Sequence, residues 1–333
     1  MADELRALVA EKRDDDVDVS LRTLTRDDLP DGDVTVRVAY SSVNYKDALA
    51  VSPKGRVARA DVLVPGIDLA GEVVASDSGE FSEGDEVIVH GYDLGVAHHG
   101  GYAEFARVPA EWVVPLPEGL SLRQAMALGT AGFTAALAIH RMEHNGQAPA
   151  RGPVVVTGAT GGVGSIAIDM LAGRGYEVIA VTGKAESADY LKSLGASQVI
   201  LREALPTGSR PLETTRYAGV IDNVGGEMLA NLLRQVDFWG NVASIGLAGG
   251  ANLETTVLPF ILRGVNLLGI NSSATRRAER LAVWERIAGD CAPRHLDHIV
   301  TRTIAFADLP GAFQPHIDGK VTGRTVVKIG SRP

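Results

Sequence analysis

Four glycines within the fifteen residues Pro153–Ala167, PVVVTGATGGVGSIA, mark where this chain could hold a phosphate. Pro153 is followed by three valines and Thr157, a β-branched run that suits a buried parallel strand and is too short for a helix. Glycines follow at once, and beyond them Ile166, Met170 and Leu171 recur at helical spacing. A strand that breaks into glycines and reopens as a helix lets the backbone approach a pyrophosphate. The free N–H groups of the helix start then face its charge. The spacing is Ala159-x-Gly161-x-x-Gly164, with alanine where the usual turn has its first glycine. Thr160, Gly161, Gly162, Val163 and Gly164 are the expected cradle.

The next strand, Glu177–Thr182, selects the nucleotide. An Asp or Glu at its tip would accept hydrogen bonds from a ribose 2′-hydroxyl and favour NAD. Here the tip is Thr182, Gly183 and Lys184, and no carboxylate comes before Glu186. A hydroxyl, a bare backbone and an ammonium suit a 2′-phosphate, so the expected cofactor is NADPH. The alternative is a solvated lysine in an ordinary strand-to-helix loop.

These residues need a scaffold. The chain has 333 residues, enough for two domains, with 45% hydrophobic and 22% charged side chains as in globular proteins. A net charge of −9 argues against a nucleic-acid surface, and the single cysteine, Cys291, rules out an intrachain disulfide or a multi-cysteine zinc site. The start, MADELRALVAEKRDDD, shows no basic leader followed by an apolar core, and no segment reaches membrane-spanning length. The expected location is the cytoplasm, with no membrane partner.

The first part reads as β-rich. Val17–Leu24, Val34–Ser42, Gly66–Val74, Gly84–Val89, Tyr102–Val108 and Trp112–Leu116 are short strands between glycine turns, which suggests a partly closed barrel. SSVNYKDALAV interrupts them as a short helix. Leu122–Met142 is apolar, alanine-rich and helical in period, with Ser121 as N-cap. Strands at 153–157, 177–182, 198–201, 218–222, 241–245 and 266–270 then alternate with helices, as in a doubly wound parallel sheet. A helix at Ala278–Ile287 and a strand pair, Thr301–Phe306 and Thr325–Ile329, read as a tail rejoining the first domain. The expected fold is α/β, with boundaries at 1–122, 123–272 and 273–333.

In this order of parts, and in SSVNYKDALAV, VPGIDLAGEV, HHGGYAEFARV, LGTAGFTA, VTGATGGVGS, YLKSLGAS, PFILRGVNLLGINS and GRTVVK, the chain resembles the medium-chain dehydrogenase/reductase superfamily. More narrowly it is similar to the zinc-free acrylyl-CoA reductase group, the YhdH/AcuI-type quinone oxidoreductases. The resemblance implies a GroES-like catalytic domain (1–122), an NADPH-binding Rossmann domain (123–272) and a returning segment (273–333). Zinc enzymes of the superfamily place a cysteine after the second strand and a Gly-His-Glu segment later. This chain has Asn44-Tyr45 and Gly66-Ile67-Asp68 there, so the thiolate and imidazole of a tetrahedral zinc are missing. His98 and His99 have no cysteine partner, and a role in the loop or pocket wall is expected.

Without a Lewis acid, the expected chemistry is reduction of a double bond conjugated to a carbonyl, with donors aimed at the developing enolate. The implied reaction is NADPH-dependent reduction of acryloyl-CoA to propanoyl-CoA, with hydride added to the β-carbon. A quinone or general α,β-unsaturated carbonyl reductase, or a non-catalytic NADPH-binding protein, are the alternatives. Tyr45 is the candidate catalytic donor beside the nicotinamide, with Asn44 and Asp47 behind it; a packing role for Tyr45, and proton delivery by water, stay open. The resemblance adds cofactor contacts at Thr134, Asn223, Gly246, Leu247, Asn271, Ser272 and Arg324. Lys54, Arg56, Arg59, Arg276, Arg277 and Arg280 could receive coenzyme A phosphates or form a solvated face. The last strand of the sheet, 266–270, is the expected edge for a homodimer.

Overall fold

The computed structural model describes residues 4–53 and 55–330; Lys54, considered above for coenzyme A, lies outside them. Eight strands precede the first long helix: β1 (Glu4–Arg13), β2 (Asp16–Thr25), β3 (Val34–Val43), β4 (Val62–Leu63), β5 (Asp68–Ser76), β6 (Glu86–His90), β7 (Phe105–Val108) and β8 (Val113–Pro115). A short helix, α1 (Tyr45–Ala50), follows β3, and α2 (Leu122–His144) follows β8. Then come β9 (Val154–Thr157), α3 (Gly162–Gly173), β10 (Val178–Thr182), β11 (Gln198–Leu201), β12 (Tyr217–Asp222), β13 (Val236–Ser244) and β14 (Asn266–Gly269). The tail adds β15 (Val300–Ala305) and β16 (Arg324–Lys328).

The chain forms two compact units. The first holds the described residues up to Thr130, Ser273–Trp284 and those from Leu296 onward; the second holds Ala131–Ser272 and Glu285–His295. The division falls inside α2, eight residues beyond the expected boundary, and the tail is shared between the units.

In the first unit the sheet order is β15-β16-β3-β5-β6-β8, with β7 also paired to β3, beside a smaller sheet β2-β1-β4. Alternation drives it. Val34, Val36 and Val38 of β3 are fully buried and pack with Leu69, Val73, Val87 and Val89, and with Leu309, Phe313 and Val327 of the tail. Each such side chain contributes about 1.5–3 kcal/mol by leaving water. β16 runs antiparallel to β3 and parallel to β15, so the tail completes this sheet. Two strands, β1 and β4, lie outside the sequence expectation. ELRALVAEKR is rich in helix formers, yet it pairs with β2 from Glu4↔Thr25 to Arg13↔Asp16, with Asp14 left-handed (φ 52°) in the turn. Pairing and burial of Leu5 and Leu8 override local propensity.

The second unit carries one parallel sheet in the order β11-β10-β9-β12-β13-β14, the doubly wound arrangement, with β9 and β12 meeting where the order reverses. Ser121 caps α2 as expected: its hydroxyl accepts from Gln124 N at 3.3 Å while Gln124 Oε1 accepts from Ser121 N at 3.0 Å. The helix is not continuous, however. Gly129, at φ 52° and ψ −152°, breaks it into two pieces. Segment 285–295 is fastened to the second unit by ion pairs, with Arg286 on Glu143 at 2.7 Å and Arg174 on both Glu143 (2.8 Å) and Asp290. Among the described residues no helix is long and apolar enough to cross a membrane.

Candidate cofactor and catalytic sites

The cofactor constellation lies at the carboxyl ends of β9, β10, β12 and β13. Gly158 leaves β9 with a positive φ of 58°, and a Cβ on Gly164 would stand 2.4 Å from the Gly158 carbonyl oxygen. Only glycine lets the turn fold back this tightly. Gly161 is the N-cap of α3 and provides no side-chain cap, so the first-turn N–H groups are left for an anion or water. Thr160 is buried at the same turn, and Gly162 and Val163 are half-buried. Asn223 is anchored by Thr157: its N–H donates to Thr157 Oγ1 at 2.9 Å and its Nδ2 to Thr157 O at 2.8 Å. Its buried Oδ1 has no partner among the described residues, an acceptor left unmet just past the end of β12. A Cβ on Gly246 would fall 2.2 Å from the Asn223 carbonyl oxygen, so glycine is required where these two strand ends converge.

At the tip of β10, Thr182 Oγ1 accepts from Lys184 N at 3.0 Å and shapes the turn. Lys184 is half-buried, and desolvation pushes its ammonium below the ordinary range. A Cβ on Gly183 would stand 2.5 Å from Arg202 Nη2. The exposed Arg202, following β11, thus lays a guanidinium over this turn and adds a second cation to the one expected. These groups fit a dinucleotide with a 2′-phosphate. Of the remaining cofactor candidates, Thr134 is buried on α2, Leu247 is 64% exposed, and Asn271 and Ser272 follow β14 at the sheet edge. The structure gathers the glycine turn, Asn223 and Gly246, and the pairing of Ser244 with Gly269 carries Asn271 and Ser272 past the end of β13.

The catalytic constellation belongs to the first unit and is built on N-x-x-D. Asn44 caps α1, and the Asp47 carboxylate, three residues on, accepts from Asn44 N at 2.8 Å and from Ile67 N at 2.9 Å. This clamp fixes the first turn, whose first residue is Tyr45, 47% exposed. Behind it lies a buried ionic network. Asp68 accepts from Ser42 Oγ (2.6 Å), Ser42 N (3.2 Å), Asn44 Nδ2 (2.9 Å) and Thr130 N (2.9 Å). Arg324 donates to Ser42 Oγ (2.6 Å), Asn44 Oδ1 (3.0 Å) and Ala127 O (2.9 Å).

This network explains the break in α2. Arg324 satisfies a carbonyl at the end of the first piece, and Asp68 satisfies the amide of Thr130 just past Gly129. A Cβ on Gly129 would stand 2.7 Å from both Arg324 Nη2 and Asp68 Oδ2. Burial, then the Asp68 charge, push the Asp47 carboxyl up to about 7 against the hydrogen bonds from Asn44 and Ile67. Tyr102, whose hydroxyl donates to Ser42 O at 3.0 Å, is raised well above the usual phenol range by burial and both carboxylates.

The expectations for several arginines change. Arg324 is 2% exposed and its donors are committed inside the first unit, so it holds Asn44 and the helix break rather than standing open for a cofactor. Arg280 is fully buried, stacked 4.5 Å over Tyr92 and bonded to His90 O at 3.0 Å, which removes it from any coenzyme A surface. Arg277 donates to Glu80 and Glu111 O, and Arg59 to Asp93; Arg56 and Arg276 are left exposed. His98 turns its edge to Trp112 at 5.1 Å and bonds His99 O, while His99 Nδ1 accepts from Val64 N at 3.4 Å. Nor do Asn44 and Asp68 fit a zinc ion. They bring no thiolate or imidazole, and Arg324 already supplies the positive charge to their shell.

Sequence reasoning missed Asp68 as a network member, Tyr102, Ser42 and Arg202. One signal was present: Asp68 stands between Ile67 and Leu69 in an apolar strand, and a carboxylate there must be paired once buried.

A family model described as alcohol dehydrogenase GroES-like domain matches residues 30–118, and one described as zinc-binding dehydrogenase matches residues 162–288. The acrylyl-CoA reductase AcuI of Ruegeria pomeroyi is 50% identical over 328 residues, 98% of this chain and 99% of that protein. The crystal structure of Bacillus subtilis protein YhfP with NAD bound is 50% identical, with a TM-score of 0.95 over 98% of this chain and 99% of the other. The YhdH oxidoreductase of Salmonella enterica, solved in complex with NADP, is 47% identical, with a TM-score of 0.95 over 98% of this chain and 100% of the other.

Proposed function

The chain belongs to the medium-chain dehydrogenase/reductase superfamily, in its AcuI-type branch, and from that premise we propose that it reduces the carbon–carbon double bond of acryloyl-CoA. It is an NADPH-dependent oxidoreductase. The observation that carries the reaction is the pairing of an N-x-x-D clamp presenting Tyr45 with an Asn44–Asp68–Arg324 network unsuited to zinc. A zinc-free site lacks the Lewis acid that simple ketone reduction uses, whereas a conjugated enoyl thioester needs only hydride and a hydrogen-bond donor.

Bound NADPH supplies the hydride. The α3 amides, Gly161 and Gly164 take the pyrophosphate; Thr182, Lys184 and Arg202 take the 2′-phosphate; Asn223 Oδ1 and the Gly246 and Leu247 backbone orient the nicotinamide amide. Thr134, Asn271 and Ser272 complete the contacts. Tyr45 donates to the thioester oxygen, where charge develops as hydride reaches the β-carbon, and a proton then adds to the α-carbon. NADPH, a proton and acryloyl-CoA give NADP⁺ and propanoyl-CoA. We place the reaction in the cytoplasm and the enzyme in a homodimer through β14, the outer strand of its sheet, where Leu267 is 38% exposed.

NADPH carrying deuterium at the transferred position tests this reading. Deuterium on the β-carbon of propanoyl-CoA, with the α-hydrogen drawn from solvent, supports it; NADPH consumed only by a quinone replaces it with quinone reduction.

A further inference from the structure

Two carboxylates and one guanidinium are buried together behind Tyr45: Asp47 and Asp68 are fully buried and Arg324 is 2% exposed. With both acids ionised the group carries one uncompensated negative charge, which a low-dielectric interior penalises heavily. The guanidinium does not pair with either acid, since its donors go to Ser42, Asn44 and Ala127. The acids differ in what they receive. Asp68 accepts four donors, the surroundings of an ionised carboxylate. Asp47 accepts two backbone N–H groups and shares Asn44 Nδ2 with Asp68, at 3.2 Å from Asp47 and 2.9 Å from Asp68. The Tyr102 hydroxyl spends its own proton on Ser42 O at 3.0 Å, and the charges of Asp47 and Asp68 both bear on it.

We propose that the Asp47–Asp68 pair holds one proton, carried on Asp47, and that this proton makes Asp47 the positioning residue for Tyr45. With it, the buried charges sum to zero and Asn44 bridges both acids. Without it, mutual repulsion of the carboxylates pulls the Asn44 bridge apart and loosens the first turn of α1. The charged groups facing Asp47 are Asp68 from β5, Arg324 from β16 and Tyr102 from the loop before β7, with Lys46 beside it on α1. The raised Asp47 carboxyl agrees with this arrangement. The effect on turnover rests on the reductase reading above; the proton itself does not.

The test therefore has two readouts on the full-length protein. Infrared difference spectra across pH 5.5–8.5, a window of roughly 1.5 units either side of neutrality, follow the C=O stretch of a protonated carboxylic acid. The band is expected in the wild type, lost as pH rises through about 7, and absent in Asp47→Asn. In Asp68→Asn, which removes the repelling charge, its midpoint moves down by about one unit or more. This second variant serves if Asp47→Asn fails to fold. Single-turnover NADPH oxidation with acryloyl-CoA is expected to slow through the same midpoint in the wild type and to lose that dependence in Asp47→Asn. No protonated-carboxyl band, or a midpoint indifferent to Asp68→Asn, overturns the shared proton. A titrating band whose loss leaves the hydride-transfer rate unchanged overturns the positioning role. A titrating band in a protein that never reduces acryloyl-CoA overturns the reductase reading instead.

Discussion

Tyr45 stands nearly half exposed on a turn anchored through the buried Asp47 and Ile67, an arrangement that holds a reactive side chain still without enclosing it. Tyr45→Phe keeps the ring and removes the donor. We expect kcat for acryloyl-CoA reduction to fall by roughly 10²-fold with little change in KM for NADPH, as for loss of one donor to a developing oxyanion; steady-state kinetics check this. The phosphate end gives a second expectation. Removing Lys184 and Arg202 together should raise KM for NADPH by roughly 10- to 100-fold and leave NADH use nearly unchanged, the size expected for lost charge-assisted bonds. Comparing the two nucleotides as substrates checks it. Thr182, Gly183 and Lys184 were legible in the sequence because they are contiguous. Arg202 was not, since only the parallel pairing of β10 with β11 brings it over Gly183.

Among the elements, α2 shows most clearly what a pattern conceals. Its apolar period and its Ser121 cap could be read from the sequence. Its break could not, because a glycine in an alanine-rich helix reads as tolerated. The break exists because Asp68 and Arg324 meet the exposed backbone on its two sides, and those residues lie far from Gly129 in sequence. Gly129→Ala places a Cβ in left-handed backbone against two charged groups. We expect a loss of at least about 2 kcal/mol and a fall in Tm of several degrees, measured by thermal unfolding with Ala131→Gly as a control. β1 shows the converse failure: its helix-forming composition gave no strand signal, and only its ten-residue pairing with β2 makes it one. The doubly wound sheet was legible throughout, because buried parallel strands are nearly continuous apolar runs.

For the whole molecule, the buried acid pair ties stability to pH. The folded state holds the Asp47 proton more tightly than the unfolded chain does, with a carboxyl near 7 against an ordinary 3.8. This group's stabilisation is therefore full below about 4 and is lost as pH rises toward 7. The Tm of the wild type should fall relative to that of Asp47→Asn across this window. Substrate preference separates an enoyl-CoA reductase from a quinone reductase, and it is measured as kcat/KM for NADPH oxidation with acryloyl-CoA beside crotonyl-CoA and a soluble quinone, each repeated with NADH. We expect acryloyl-CoA to exceed the quinone by at least roughly tenfold, and NADPH to exceed NADH. A higher value for the quinone would make the protein a quinone reductase, and a higher value for NADH would overturn the 2′-phosphate site at Lys184 and Arg202.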